Sequence, residues 1–144
     1  MNLRGESPRD SVAALVRERG LDDVVDACLA LLDEGEIDAA LLVGLAGRHA
    51  ELVLEGAEGG VEGYWARVWA LRALLYAWRE DACSAVVRAT AEDSWRIREM
   101  ALKVIRARRL RGAEDVVAAC LNDPVARVGA AARRALRALG RETI

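Results

Sequence analysis

Phenylalanine is absent from this chain, histidine occurs once, and there are only two prolines and three cysteines. Each scarcity removes a class of protein. The one histidine, His49, lies in Arg48-His49-Ala50-Glu51, with no Asp, Cys or Ser at a triad-like or metal-ligand spacing. Metal-assisted and acid–base catalysis therefore have little to stand on. Cys28, Cys83 and Cys120 are far apart, form no Cys-x-x-Cys and are odd in number, which argues against a secreted disulfide framework and against a zinc site. Each lies in an apolar helical context and reads as a small core residue. No Gly-x-x-x-x-Gly-Lys-Ser/Thr loop is present, and the glycine run from Gly56 to Gly63 neither follows a strand pattern nor presents a lysine, so a phosphate cradle is not expected. No cofactor and no catalytic residue is assigned. No apolar run approaches the roughly 18 residues that span a bilayer. The first ten residues are charged and lack the apolar core of a signal peptide. The expectation is a soluble, cytoplasmic protein without a membrane partner.

What the chain does have is helix-forming material. Hydrophobic residues make up 53% of the 144, with abundant Ala, Leu, Val, Glu and Arg and few β-branched runs, a mixture that favours helix over strand. A chain of this length can bury a core without disulfides or metals, and one all-α domain over 1–144 is the natural expectation. Ser7-Pro8-Arg9-Asp10 reads as the capped start of a first helix, which Gly20 ends. Asp22-Asp23 open a second, where the helix dipole favours negative charge, and Glu34-Gly35-Glu36 breaks it. A third runs from about Ile37 into Leu52–Leu54. Gly44 and Gly47 weaken its middle and imply a close helix contact or a bend, since glycine costs about 1 kcal/mol against alanine there. Residues 55–63, with four glycines, form the clearest loop. A fourth helix over about 62–79 carries Trp65, Trp69 and Trp78. A fifth begins near Asp81, a sixth runs from an Asp93 or Ser94 cap to about Arg109, a seventh starts at Glu114-Asp115, and an eighth follows Asn122-Asp123-Pro124 to about Leu139. Eight helices in four antiparallel pairs result, with no strand pattern.

One pattern is written twice. Shifted by 31 residues, Arg96 falls on Arg127, Ile97 on Val128, Ala101 on Ala132, Lys103 on Arg134, Ile105 on Leu136 and Arg106 on Arg137. A weaker third copy places Arg67, Ala70, Arg72 and Leu74 over Arg98, Ala101, Lys103 and Ile105. A fixed period in this range is the signature of a helical solenoid, in which each unit buries its apolar face against its neighbours.

At these residues the chain resembles the HEAT-repeat family in its short bacterial form, with an Asp or Asp-Pro corner followed by Val-Arg-x-x-Ala-x-x-Ala-Leu. Asp123-Pro124 with Val128, Ala131, Ala132, Ala135 and Leu136 carries the likeness, as does Asp93 with Ile97, Arg98, Ala101 and Ile105. It is clearest over 80–140 and weaker over 37–79; residues 7–33 read as an N-terminal cap or a first repeat. The resemblance implies a short α–α superhelix and an Asp–Arg ladder between repeats, which Gly129 interrupts by standing where the family usually places a basic residue. It also implies a rigid scaffold that binds proteins or nucleic acids. Related hydroxylases use repeated His-Glu pairs, which one histidine cannot supply.

Charge is unevenly spread. Residues 1–87 carry 16 acidic and 8 basic side chains, and residues 88–144 carry 7 acidic and 13 basic, within a net charge of −2. Arg96 and Lys103 share a helix edge by their seven-residue spacing, as do Arg127, Arg134 and Arg141. The 31-residue period adds Trp65 and Arg72, so Trp65, Arg72, Arg96, Lys103, Arg127, Arg134 and Arg141 form one candidate stripe on the second helices. Arg and Lys on helix flanks are also commonly solvated, covering apolar surface with their stems. Trp69 and Trp78 fall toward the apolar face, Trp65 between packing and contact, and Trp95 where it could staple a corner. The leading expectation is a noncatalytic protein-binding scaffold that uses this basic face. One alternative is a nucleic-acid binder similar to the HEAT-like DNA glycosylases, although no Asp falls on the stripe. Another is self-assembly through the acidic and basic halves, with the oligomeric state left open.

Overall fold

The computed structural model of the chain describes residues 6–140, and every regular element among them is helical. The chain divides into two compact units, with the boundary between Ala82 and Cys83.

In the first unit, helix α1 spans Pro8–Arg19. Its cap is the expected one: Ser7 is extended, its hydroxyl accepts from Asp10 N at 3.1 Å, and Pro8 fills the first turn. Helix α2, Leu21–Glu34, ends on Gly35 in the left-handed conformation. Helix α3, Ala39–Leu54, starts from Asp38, whose carboxylate accepts from Leu41 N at 2.9 Å. Arg19 ties the two starts together, with 2.6 Å contacts to Asp23 and to Asp38. That guanidinium holds the Asp38 carboxyl below the ordinary carboxylate range.

The two glycines of α3 serve both purposes that the sequence allows. A Cβ at Gly44 would lie 2.6 Å from Leu15 Cδ2, so α1 approaches α3 as closely as it does only because no side chain is there. Gly47, at φ 57° and ψ −129°, breaks the helix. A glycine-rich 3₁₀ segment, Ala57–Glu62, leads to α4, Trp65–Ala73. This helix is six residues shorter at its end than the sequence suggests. Leu74, Leu75 and Tyr76 instead form tight turns, bonded to the carbonyls three residues back. Beyond them Arg79 reaches Asp22, Asp26 and Asp81, and Trp78 Nε1 donates to Glu80 at 2.9 Å. Trp69 is core at 2% exposure, whereas Trp78, expected beside it on the apolar face, is half-buried outside the helix.

The second unit contains α5 (Cys83–Ala89), α6 (Trp95–Arg108), α7 (Glu114–Ala119) and α8 (Ala126–Gly140). α5 packs on α6, α7 on α8, and α6 on α8. Several apolar positions matched by the 31-residue shift are core: Ala101 and Ala132 are wholly buried, and Ile97, Ile105 and Val128 are buried with them, whereas Leu136, matched to Ile105, is half-buried. Alanines at the crossing let the two helix axes approach closely. Gly129 belongs to the same tight packing, since a Cβ there would sit 3.0 Å from the Leu121 carbonyl oxygen.

Arg98 joins the two corners of this unit. Its Nε and Nη2 contact the Asp123 carboxylate at 2.7 and 3.0 Å, while Nη1 donates to the Glu92 and Asp93 carbonyls at 2.9 and 2.8 Å. Asp123 also accepts from Val125 N at 2.9 Å as the chain enters α8. The Ser94 side chain stands at the α6 cap position without a capping bond; Arg98 instead fastens the carbonyls of the preceding corner.

The Arg98–Asp123 side chains are only 15% and 7% exposed. Arg98→Ala leaves a buried carboxylate without its cation and should cost this unit about 3 kcal/mol in urea unfolding. Arg98 also holds the Asp123 carboxyl below its ordinary range. The stability this contributes is complete above the unfolded carboxyl value of about 4 and is lost as pH falls through the lower folded value. Asp123→Asn should therefore flatten the acid limb of the urea midpoint between pH 5 and pH 2, roughly the window that an arginine-paired aspartate governs.

Candidate functional site

The stripe anticipated from the 31-residue period separates into parts with different surroundings. In the first unit, Trp65 begins α4 inside an aromatic cluster. His49 lies edge-on to it at 5.0 Å, Tyr64 is tilted at 5.1 Å and Trp69 is stacked at 5.8 Å. Arg72, in the last turn of α4, turns inward instead of outward. Its Nη2 reaches the Leu45 carbonyl at 3.3 Å, two residues before the break at Gly47, and desolvation lowers its pKa. Both residues are used within this unit. Arg67 is used in the same way, donating to the Leu32 carbonyl near the end of α2 at 2.8 Å.

His49 acquires a partner that sequence spacing does not reveal. Its Nε2 is 2.6 Å from Glu58 Oε1. Glu58 has φ 54°, a left-handed conformation uncommon for a non-glycine residue, with Gly59 and Gly60 following at φ 89° and 67°. The glycine-rich loop is thereby fastened to α3. Among the described residues no group of three or more His, Cys, Asp or Glu side chains is arranged to hold a metal, and no helix is long and apolar enough to cross a membrane.

In the second unit the upper end of the stripe is internally satisfied. Arg127 Nη2 is 3.1 Å from Glu99 Oε2, and Lys103 Nζ approaches the same oxygen at 3.9 Å. Trp95 lies beneath two guanidinium groups, Arg96 at 4.5 Å and Arg127 at 5.2 Å from the ring centre. Trp95 thus anchors cations across α6 and α8, a role that follows from its proximity to Arg127 and not from its place in the chain.

The lower end differs. Between α6 and α8 lies an open groove of about 640 Å³, lined by Lys103, Arg106, Ala107, Arg109, Arg134, Arg137 and Ala138. An adjoining cavity of about 270 Å³, which shares Lys103, Arg106 and Arg134 with the groove, reaches the buried Leu102 and Ala131. All five cations are exposed, and among the described residues no carboxylate lines the groove. Arg106 and Arg137 belong to the last turns of their helices, where the dipole favours cations. Lys103 and Arg134 are in mid-helix, where that explanation fails. Arg109 is held at φ 50° as the left-handed cap of α6, a conformation usually left to glycine.

Of the seven stripe residues, Lys103 and Arg134 line this groove, while Arg96 and Arg127 are gathered around Trp95. Trp65 and Arg72 are packed in the first unit, and Arg141 lies outside the described residues. Arg106, Arg109 and Arg137 were not in the stripe. The pairing of Arg106 with Arg137 in the 31-residue shift was the available signal for two of them; Arg109 becomes visible only through the backbone turn that ends α6. Comparison of the chain with protein-family models, with curated proteins and with solved structures finds no match.

Because Arg72 is committed to a backbone carbonyl, Arg72→Ala should lower the stability of the first unit by about 1–2 kcal/mol in urea unfolding. Titration of the same variant with a soluble polyanion should match the wild type, in contrast to replacements of Lys103 or Arg134.

Proposed function

We propose that this chain is a noncatalytic protein-interaction module, a short HEAT-like α-solenoid whose basic groove between α6 and α8 receives an acidic segment of a partner protein. The 31-residue recurrence, the packing of α6 on α8 and the Arg98–Asp123 rung between corners support the solenoid part of this reading. The observation that carries the binding part is the groove itself: Lys103, Arg106, Arg109, Arg134 and Arg137 converge on one concavity, with no carboxylate among its described lining residues. Arginine forks match carboxylates bidentately, and the apolar floor offers contact for side chains between the acids. A cytoplasmic setting belongs to the same proposal.

A protein segment suits the site better than a nucleic-acid strand. Single-strand binders combine cations with aromatic platforms on which bases stack. Here Trp95 already carries Arg96 and Arg127, and Trp65 is packed against His49, Tyr64 and Trp69. Glu99 pairs with Arg127 beyond the groove's upper end and approaches Lys103 at its edge, which limits the run of cations open to a strand.

Fluorescence anisotropy with a labelled oligoglutamate peptide, and with single- and double-stranded DNA and RNA, across a salt series tests this reading. The peptide should bind in the micromolar range, weaken as salt rises, and lose its affinity when Lys103, Arg106, Arg134 and Arg137 are changed together to Ala. Replacing Arg96 and Arg127 instead should have the smaller effect, since both are already engaged. Salt-sensitive nucleic-acid binding without peptide binding would move the assignment to a nucleic-acid module. Absence of both would remove the groove as a binding site.

A further inference from the structure

The proposed groove calls for an acidic segment with an apolar side chain, and this chain carries one on its other unit. Between α2 and α3 the sequence reads Asp33-Glu34-Gly35-Glu36-Ile37, and all five residues are exposed. Ile37, at 36%, is one of four large hydrophobic residues exposed among those described. Glu34 ends α2, and Glu36 follows directly, at the helix terminus where the dipole is already negative. The last turn of α2 contains no basic residue of its own, and within the unit Arg67 of α4 reaches the Leu32 carbonyl there. The acidic residues outnumber that one cation, and cations of a partner would further lower the cost of carboxylates at this helix end.

We propose that the groove of one copy takes up the Asp33–Ile37 loop of a second copy. This rests on the reading of the groove as a site for acidic protein segments and names the segment. Glu34 and Glu36 would meet the cations of α6 and α8, while Ile37 covers the floor formed by Leu102, Ala107, Ala131 and Ala138. The loop suits a short concavity because Gly35, at φ 72°, turns the chain sharply and makes a narrow acidic tip. The opposed charge of the two halves of the chain would steer the encounter and make it salt-sensitive.

The two surfaces are different, which allows either reciprocal loop-to-groove pairing about a two-fold axis or head-to-tail contacts that generate rings or open chains. The sedimentation distribution tells a dimer from a series of larger species.

Sedimentation velocity on a dilution series of the full chain, at about 0.05 M and 0.5 M salt where screening lengths differ severalfold, provides the test. The wild type should associate progressively at low salt and dissociate at high salt. Two charge-reversed variants isolate the surfaces: Glu34→Lys with Glu36→Lys, and Arg134→Glu with Arg137→Glu. All four positions are exposed, and circular dichroism verifies that the helices remain. Each variant alone should associate about tenfold or more weakly, as expected when like charges face one another, and an equimolar mixture should regain association. A wild type that stays monomeric at low salt while oligoglutamate still binds the groove overturns the self-docking and leaves the groove reading intact. Association that ignores the loop variant, or a mixture that fails to recover, overturns it as well. Loss of both peptide binding and association removes the groove reading along with it.

Discussion

The Arg98–Asp123 pair sets the geometry on which the candidate site depends. One guanidinium spends all three of its nitrogens on two corners: two contact Asp123 at the entry to α8, and the third binds the carbonyls of Glu92 and Asp93 at the entry to α6. The helices α6 and α8 are thereby held in one register from their starts. With the starts tied and Ala101 and Ala132 buried at the crossing, the outer edges of both helices run beside one another. Lys103 and Arg134, and likewise Arg106 and Arg137, then face a common concavity. A planar fork with several donors is what this junction requires; a lysine in its place could not serve two corners at once.

The same economy explains why so much of the positive charge is not available for binding. Arg19, Arg67, Arg72, Arg79 and Arg98 join helix ends, fill carbonyls or bridge carboxylates within their own unit. Arg127 is held by Glu99 and by the ring of Trp95. In a domain with no phenylalanine and many alanines, long arginine stems supply much of the material that covers helix junctions. A basic surface is therefore meaningful only where cations also reach solvent together, and the exposed cations of the groove between α6 and α8 do so.

Small residues matter as much as charged ones. Gly44 admits Leu15, Gly47 breaks α3, and Gly129 leaves room for the Leu121 carbonyl. Any side chain at Gly129 would need its Cβ placed 3.0 Å from the Leu121 carbonyl oxygen, so the close packing of α8 favours glycine there.

Helical class, the approximate order of the helices and the burial of Ile97 and Ala101 with their counterparts Val128 and Ala132 were legible in the sequence, because amphipathic periodicity and caps are local. Ser7, Pro8, Gly20 and Gly35 act where local chemistry says they should. The seven-residue spacing also places Lys103 and Arg134 on helix edges without any structure. Whether a cation on such an edge is available depends on what lies beside it, and that is a tertiary matter. Only the fold turns Arg72 onto Leu45, brings Glu58 to His49, lays Arg127 over Trp95 and shortens α4 ahead of Trp78. Sequence by itself determined which faces are apolar and which are charged. Tertiary structure decided which charges are already spent, because a carbonyl, carboxylate or ring distant in the chain competes for each guanidinium once the helices pack.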